Sequence, residues 1–369
     1  MKAFQRCRIS LFLLIIVLAW TLVACGSTSN TTASTTPTPN ACGGGNGTPP
    51  PTTSGTGITV NVGYFPNITH AAALVGLSCG TFAQDLAPNT IATKTFNAGG
   101  DFTTALLAGS IDIGYVGPSP AVNGYLKGKG LRVIAGAASG GVRFIVQPDG
   151  NINGPNDLHG KKIADPQAGA TQDIALRHYL QQNNLTPTDK GGDVQVISTD
   201  NPTIVNEFKL KQLDGAWVPE PWASRLIVEG KGKVFLDERD RWPDKQFVTT
   251  NIVVRTDFLN KHPDIVKAFL KAHVDTVQYI KANLANAKTR ANQWLANLPG
   301  GKLLDQQVID AAFTNLSITY DPLAKTLFAA ADNAFALGAI KQKPDAGIYD
   351  LGPLNSVLTS EGLSTVSAS

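Results

Sequence analysis

The sequence has 369 residues, of which 43% are hydrophobic and 16% are charged. Its 31 basic and 28 acidic residues give a net charge of +3, and Lys2, Arg6 and Arg8 account for that excess. Because the rest of the chain is neutral and has no basic run, nucleic acid and strongly acidic surfaces are excluded as obvious partners. Beyond a polar N-terminal stretch, roughly 310 residues remain, which suffices for two domains with hydrophobic cores.

Residues 1–24 have the pattern of a lipoprotein signal peptide. The three basic residues precede an apolar run over residues 9–20, which is shorter than the roughly 20 residues that span a bilayer. The sequence Leu-Val-Ala before Cys25 resembles a bacterial lipobox, which implies lipidation of Cys25. We therefore expect an extracytoplasmic protein that is lipid-anchored to the outer face of the bacterial cell membrane. An uncleaved signal anchor is the alternative.

Residues 25–57 predict a flexible tether, because Ser, Thr, Pro, Gly and Asn dominate this segment and cannot bury enough apolar surface to fold. Cys42 lies in the tether and Cys79 in the body that follows. An exported protein meets an oxidising compartment, where these two residues can form a disulfide; two separate thiols are the alternative. No spacing of His and Cys is typical of a metal site, and we expect neither a metal nor a cofactor.

From residue 58 onward, apolar runs that predict strands alternate with helical patterns. The predicted strands of the first series are residues 58–62, 91–96, 111–116 and 131–135. This alternation, with short loops, predicts a mostly parallel sheet that is covered by helices on both faces. A second series of the same kind begins near residue 144.

The chain is predicted to return to the first sheet near its middle. Residues 247–254 are rich in β-branched side chains, and the helix after them has apolar residues at spacings of three and four. We therefore expect an α/β fold of two lobes, with residues 58–143 and 247–369 in lobe 1 and residues 144–246 in lobe 2. The crossings near residues 143–146 and 247–251 would form a two-segment hinge.

Five predicted turns between a strand and a helix present small, hydroxyl or aromatic residues. In the turn Gly117-Pro118-Ser119-Pro120, Ser119 is predicted to be the N-cap and Pro120 the first helical residue. Helix N-termini at the carboxyl edge of a sheet favour anionic ligands. The pattern predicts a cleft for a small polar or anionic ligand between the lobes. The other four turns are Phe65-Pro66-Asn67, Gly99-Gly100-Asp101, Gly169-Ala170-Thr171-Gln172 and Trp217-Val218-Pro219-Glu220-Pro221-Trp222.

Four segments resemble the solute-binding proteins of the nitrate/taurine/aliphatic-sulfonate ABC importer family. They are residues 63–71, 107–121, 157–164 and 217–222, in the family's order, and the resemblance extends over about residues 58–337. It implies a type II periplasmic-binding-protein fold that closes on a small organic anion and delivers it to an ABC permease with its ATPase. We expect the protein to act as a monomer.

Individual residues of these turns are candidates for ligand contacts. The hydroxyls of Ser119 and Thr171 would bond an anionic head group, and helix capping is their alternative role. Glu220 would either receive an amine, as in taurine, or face solvent, while Asp101 is more readily a helix cap than a contact. Phe65 and Trp222 would wall the cleft, whereas Trp217 is expected in the core and His70 near the mouth. The remaining candidates are Asn67 and Gly117, together with the backbone N–H groups of Gly100, Asp101, Ala170 and Gln172.

An enzyme on the same fold is the alternative function. Desulfinases that look similar have a nucleophilic Cys in the first loop, where this sequence has Phe65 and Pro66. Cys79 lies near the end of the first predicted helix, away from the cleft. The Cys-rich signature of the thiamine-pyrimidine synthases, which also resemble this fold, is missing. We therefore expect a binding protein rather than an enzyme; nitrate, taurine, sulfonates and thiamine precursors all suit the predicted cleft.

Overall fold

The computed structural model describes residues 57–368, which form two mixed β-sheets and the helices that cover them. The strands in this part of the chain are β1 Thr59–Tyr64, β2 Thr90–Thr95, β3 Ile113–Val116, β4 Leu131–Gly140, β5 Val142–Val146, β6 Lys162–Asp165, β7 Gln195–Ser198, β8 Gly215–Pro219, β9 Lys233–Asp237, β10 Val248–Arg255 and β11 Leu316–Ile318. The helices are α1 Ala71–Cys79, α2 Thr81–Asp85, α3 Gly99–Leu107, α4 Pro118–Leu126, α5 Thr171–Gln182, α6 Asn201–Lys209, α7 Trp222–Val228, α8 Thr256–Lys261, α9 Pro263–Ala282, α10 Leu284–Asn297, α11 Gln306–Thr314, α12 Ala324–Ala336 and α13 Gly352–Ser360.

The first sheet has the strand order β11-β4-β10-β3-β1-β2, and the second has the order β7-β6-β8-β5-β9. β1 pairs in parallel with β2 and β3, and β6 pairs in parallel with β7 and β8. β10 runs antiparallel to both β3 and β4, and β5 runs antiparallel to both β8 and β9. The prediction of a mostly parallel sheet is therefore wrong, because β10 and β5, which the chain enters from the other sheet, run antiparallel to both of their neighbours and β11 runs antiparallel to β4.

The chain passes from the first sheet to the second at two consecutive glycines. Gly140 and Gly141 have φ angles of +74° and +75°, a left-handed conformation that side chains disfavour. The predicted crossing at residues 143–146 is displaced, since those residues lie wholly within β5 of the second sheet. The return passage ends where β10 begins at Val248. The lobe boundaries themselves stay a prediction.

Both faces of the first sheet are covered by helices. Helices α1, α9, α10 and α13 pack on one face and α3, α4 and α12 on the other. The predicted apolar spacing of α9 is confirmed, because its inward residues are all buried: Val266, Leu270, Val274, Val277 and Ile280. The second sheet packs on α5 on one face and on α6 and α7 on the other. Trp217 is fully buried in this core, so its predicted core position is confirmed. Its Nε1–H donates to Oε2 of Glu238 at 2.7 Å.

Two predicted helix caps are wrong. α4 begins at Pro118 with Gly117 as its N-cap, so Ser119 is already inside the first turn. Proline fixes φ at a helical value and needs no N–H partner, which lets the first of the two prolines start the helix. α3 begins at Gly99 after an extended Ala98, and Asp101 therefore lies in the first turn with an exposed side chain that makes no cap bond.

Candidate functional site

A cavity of about 40 Å³ lies where several helices begin. The N-terminal residues of α3, α4, α5 and α6 line it, together with the short 3-10 helix Ile68–His70 that precedes α1. Strand β10 contributes Thr249 and Thr250, and β8 contributes Pro219 at its end. The other lining residues are Phe65, Asn67, Thr69, His70, Asn97, Ala98, Gly99, Gly117, Pro120, Pro166, Gln167, Ala170, Thr171, Gln172 and Asn201.

Helix ends make this cavity electropositive without charged side chains. The first N–H groups of a helix have no partner within it, and the helix dipole places partial positive charge at this end. At the α5 N-terminus, Thr171 and Gln172 are the first two helical residues and line the cavity, whereas the N–H of the N-cap Ala170 already donates to the carbonyl of Gln167 at 3.1 Å. α4 offers fewer donors, since Pro118 and Pro120 have no N–H. Among the described residues, none with a formal charge lines the cavity.

Three buried polar atoms at the cavity have no hydrogen-bond partner within residues 57–368. They are Oγ1 of Thr171, Oγ1 of Thr250 and Oδ1 of Asn201. Leaving one buried polar group unpaired costs about 1–3 kcal/mol, and folded proteins leave few of them. These atoms are available to a bound molecule, the two hydroxyls as donors or acceptors and the amide oxygen of Asn201 as an acceptor.

His70 lines the same cavity and is neutral. It is fully buried, and burial lowers its pKa to about 3. Its Nδ1 accepts a hydrogen bond from the N–H of Phe65 at 3.3 Å, and the two rings stack with centroids 4.9 Å apart. Because Nδ1 is the acceptor, the proton of the neutral ring lies on Nε2, which is therefore a donor. His70 was expected near the mouth of the cleft; it forms part of the wall.

Six of the eleven predicted ligand-binding residues line the cavity: Phe65, Asn67, Gly117, Ala170, Thr171 and Gln172. The N–H of Gly100 instead donates to Oε1 of Gln167 at 3.1 Å. Asp101 is exposed, and Ser119 lines a separate cavity of about 10 Å³ between α4, α5 and α12. These placements do not test ligand binding, so the contacts stay predictions.

One of the two roles expected of Glu220 required its side chain to face solvent. The structure contradicts that role. It is fully buried, and burial raises its pKa. Oε1 accepts from Nδ2 of Asn315 at 2.7 Å, and Oε2 accepts from the N–H of Ser224 at 3.1 Å. Its backbone also bonds, with N–H donating to the carbonyl of Gly141 and the carbonyl accepting from Ile68. Glu220 therefore joins the end of β8 to the neighbouring passage between the sheets.

Trp222 lies behind the cavity wall rather than in it. Its Nε1–H donates to Oδ1 of Asn67 at 2.7 Å, which joins the start of α7 to the loop after β1. The guanidinium of Arg225 lies over the indole, 5.0 Å from its centroid. Together with the bond between Gly100 and Gln167, this contact connects elements of the two sheets on either side of the cavity.

Sequence reasoning missed Asn97, Gln167, Asn201, Thr249 and Thr250. Asn201 carried a usable signal, because it follows the N-cap Asp200 and precedes Pro202 at the start of α6. Thr250 carried none, since it lies on a strand whose place in the sheet depends on the whole topology.

Several predictions concern residues outside the described part of the chain. Cys25, the signal peptide and most of the tether lie there. Cys79 is disulfide-bonded, and its partner lies outside the described residues. No helix within residues 57–368 is both long and apolar enough to cross a membrane, and no grouping of His, Cys, Asp or Glu within them could hold a metal ion.

The fold is of the periplasmic-binding-protein type. The periplasmic nitrate-binding protein NrtA from Synechocystis PCC 6803 superposes with a TM-score of 0.67 at 16% identity, over 83% of this chain and 89% of that one. The alkanesulfonate-binding protein SsuA from Xanthomonas axonopodis pv. citri, bound to MOPS, superposes with a TM-score of 0.64 at 17% identity, over 80% and 97%. The predicted fold is confirmed.

The chain belongs to the NMT1-like family, whose profile matches residues 57–296. It is also 29% identical over 225 residues to the taurine-binding periplasmic protein of Escherichia coli (strain K12), which covers 61% of this chain and 68% of that protein. The resemblance that the four sequence motifs carry is therefore confirmed.

Proposed function

We propose that this chain is an extracytoplasmic solute-binding protein that captures a small organic anion and delivers it to an ABC permease with its ATPase. One observation carries the proposal: Thr171 and Thr250 present unpaired buried hydroxyls, which can donate, to a cavity at helix N-termini. An anion with several acceptor oxygens would accept from the two hydroxyls and from the free N–H groups. The names of the relatives, which bind taurine, nitrate and alkanesulfonate, support the sulfonate, taurine and nitrate class.

Neutral donors suit a protein that must release its ligand. A buried ion pair would require the desolvation of a protein cation as well as the ligand, at a cost that its attraction offsets only with excellent geometry. Oriented N–H dipoles and hydroxyls stabilise the anion without that second charge. The neutral His70 adds a donor, and its low pKa keeps its charge from changing at physiological pH.

The membrane attachment in this proposal rests on the lipobox. Lipidation of Cys25 would anchor the protein, and residues 25–57 would hold the folded body away from the surface while it reaches the permease. The native chain should fractionate with membranes, whereas Cys25→Ser should leave the protein outside the lipid phase. A Cys25→Ser variant that still fractionates with membranes would contradict the lipid anchor.

An enzymatic function is disfavoured by the chemistry of the cavity. Hydroxyl nucleophiles such as Thr171 and Thr250 need an adjacent general base. His70 cannot take that role, because its Nδ1 already accepts from Phe65 and burial holds its pKa at about 3. Cys79 is disulfide-bonded at the end of α1, so it does not supply a thiolate.

Calorimetry and thermal shift with the full chain test the proposal. The panel contains methanesulfonate, taurine, nitrate, a phosphonate and a thiamine precursor. A ligand at 100 times its Kd should stabilise the protein by about 2.7 kcal/mol. We expect saturable 1:1 binding of at least one anion, with the ligand recovered unchanged by mass spectrometry. Recovery of a reaction product would replace the proposal with the enzyme alternative, and silence across all the anions would contradict it.

A further inference from the structure

The loop of residues 166–170 joins strand β6 to helix α5, and three of its residues line the cavity. The loop also contacts elements of the first sheet. Oε1 of Gln167 accepts from the N–H of Gly100 at 3.1 Å, and the carbonyl of Gly169 accepts from Nδ2 of Asn123 at 3.4 Å. The position of this loop therefore determines how the two sides of the cavity meet.

Two buried carboxylates hold the loop, one at each end. Oδ1 of Asp165, the last residue of β6, accepts from the N–H of Gln167 at 3.0 Å. Oδ2 of Asp173, in the first turn of α5, accepts from the N–H of Gly169 at 2.7 Å. Asp165 is fully buried and Asp173 is 3% exposed. Neither side chain lines the cavity, so neither contacts a ligand there directly.

The two carboxylates differ in what balances their charge. Asp173 forms an ion pair with Arg177, with Oδ1 2.6 Å from Nε. Asp165 has no ion pair within residues 57–368, and the hydroxyl of Ser198 lies 3.0 Å from both of its oxygens. A buried carboxylate without a cation is costly to ionise. Burial and the nearby carboxylate of Asp173 raise the pKa of Asp165 to about 7.

The other elements packed on β6 place no ionisable side chain beside Asp165. Strands β7 and β8 contain none. Helix α6 has Glu207 and Lys209 in its last turn, away from the cavity, and the exposed Asp200 before it caps that helix. His70, in the cavity wall, stays neutral above its pKa of about 3. The charged groups that face Asp165 are therefore those of the ion pair on α5.

An anion in the cavity adds a negative charge beside the loop that Asp165 holds. Each of two like charges disfavours the ionised form of the other, so a bound anion and an ionised Asp165 repel. A proton on Oδ2 of Asp165 removes that repulsion. It leaves Oδ1 free to accept from the N–H of Gln167, and the new O–H can donate to Oγ of Ser198.

We propose that Asp165 is a positioning residue that couples the capture of an anion to the uptake of a proton from solvent. The protonated side chain holds the loop, whereas the ionised one holds it but opposes the ligand. The inference rests on the proposed function and adds a pH dependence to it. Because linkage is reciprocal, the proton strengthens anion binding by the same factor as the anion strengthens proton binding.

Calorimetry of the full chain with nitrate and with methanesulfonate at pH 6, 7 and 8 tests the proposal. Both probes keep their charge over this range, and bis-Tris and Tris buffers introduce no sulfonate. The native affinity should fall by about threefold or more from pH 6 to pH 8, because Asp165 ionises across that window and then opposes the anion.

Two variants separate the proton from the hydrogen bond. Asp165→Asn mimics the protonated carboxyl, since its oxygen can accept from Gln167 and its N–H can donate to Ser198. Its affinity should match the native value at pH 6 and stay constant up to pH 8. Asp165→Ala lacks the acceptor and should bind both probes about fivefold more weakly than Asp165→Asn at each pH. Thermal melts verify that the variants fold, and if the alanine variant does not, the asparagine variant decides alone.

Asp214→Asn is the matched control. Oδ2 of Asp214 also accepts a backbone N–H of β6, from Lys162 at 2.8 Å, but at the end of the strand away from the cavity. Its affinity and pH profile should be those of the native chain. Ser198→Ala removes a donor that stabilises the ionised Asp165, so it should move the midpoint of the native pH profile to higher pH. A purely structural role of Asp165 predicts no such movement.

The results that overturn the inference differ from those that overturn the proposed function. Equal native affinity at pH 6 and pH 8, or a pH dependence that Asp165→Asn retains, would refute the coupling while leaving anion binding in place. Binding by Asp165→Asn that is as weak as that by Asp165→Ala at pH 6 would refute the positioning role. Binding of neither probe would refute the inference, and the proposed function would then depend on the other anions of the panel.

Discussion

A Cβ atom built on Gly117 would lie 2.6 Å from Oγ1 of Thr171. Gly117 caps α4 beside the first sheet, and Thr171 begins α5 beside the second. The two sides of the cavity can approach this closely only because residue 117 has no side chain.

Gly117→Ala should therefore weaken ligand binding by at least tenfold. Residue 117 has a φ of −68°, which alanine adopts freely, so the effect would come from the contact and not from backbone strain. Calorimetry measures the affinity, and the melting temperature should change little because each sheet keeps its own core. Gly154→Ala is the matched control, since a Cβ at that glycine meets nothing within 4 Å. An unchanged affinity in Gly117→Ala would show that the two sides need not approach so closely.

Thr171→Val and Thr250→Val should each weaken anion binding by about 1–3 kcal/mol. Valine has the shape of threonine without the hydroxyl, and both hydroxyls are buried at the cavity without a partner. Because the hydroxyls have no hydrogen-bond partner in the protein, neither variant should destabilise the fold in the absence of ligand. Calorimetry and thermal melts measure the two effects.

Ser119→Ala supplies the comparison for those variants. Ser119 lines the neighbouring small cavity and should leave the affinity within about 0.5 kcal/mol of the native value. The sequence had placed Ser119 and Thr171 together as ligand contacts. A larger loss in Ser119→Ala than in Thr171→Val would reverse the assignment that the geometry favours.

His273 should make the folded state sensitive to acid. It is buried against Tyr115 and the carbonyl of Gly136, and burial lowers its pKa to about 4. In the unfolded chain its pKa is near 6.5, so between pH 6.5 and 4 the unfolded state binds more protons and stability falls as the pH falls. Over that window the contribution lost approaches about 3 kcal/mol.

The difference in unfolding free energy between the native chain and His273→Gln isolates the contribution of His273 from that of the buried carboxyls. Glu238 has a pKa raised to about 7 by burial and acts in the opposite direction, since the folded state then holds the extra proton. The native chain and the variant share Glu238, so its contribution cancels in their difference. Urea titrations at pH 7.5 and pH 5 should show the stability advantage of the native chain shrinking at the lower pH. A constant difference would mean that His273 titrates normally.

Reduction of the disulfide at Cys79 should lower the free energy of unfolding. With Cys42 as the partner, which is the pairing that the sequence analysis leaves open, the closed loop has a stabilising effect of about 3–4 kcal/mol. Peptide mapping without reductant should recover the Cys42 and Cys79 peptides joined. Recovery of Cys79 joined to any other cysteine would contradict the pairing.

The sequence predicted the fold class because the signals for it are local. The burial pattern of α9 follows from the spacing of apolar side chains within one segment of the chain. The direction of β5 and β10 is not local, because it depends on the path of the chain between the sheets. The prediction of parallel sheets failed at those two strands and at β11, which runs antiparallel to β4.

The site was predicted as a place more accurately than as a set of contacts. The turn after β3 does reach the cavity, but successive residues of a helix point about 100° apart, so Gly117 and Pro120 line the cavity while Ser119 faces away. Gly100 does not line the cavity either, and Gln167, which follows β6 of the second sheet, accepts its N–H. Contacts across two lobes have no signature in either segment alone.

The position of β10 between β3 and β4 also sets when the strands of the first sheet become available during synthesis. Both neighbours precede it in the chain, and the whole second sheet is synthesised before it. Until β10 emerges, β3 and β4 each lack their shared neighbour and expose an unpaired edge. Contacts between segments so distant in sequence form slowly. The first sheet is therefore the last to have all of its strands available, although most of them are synthesised first.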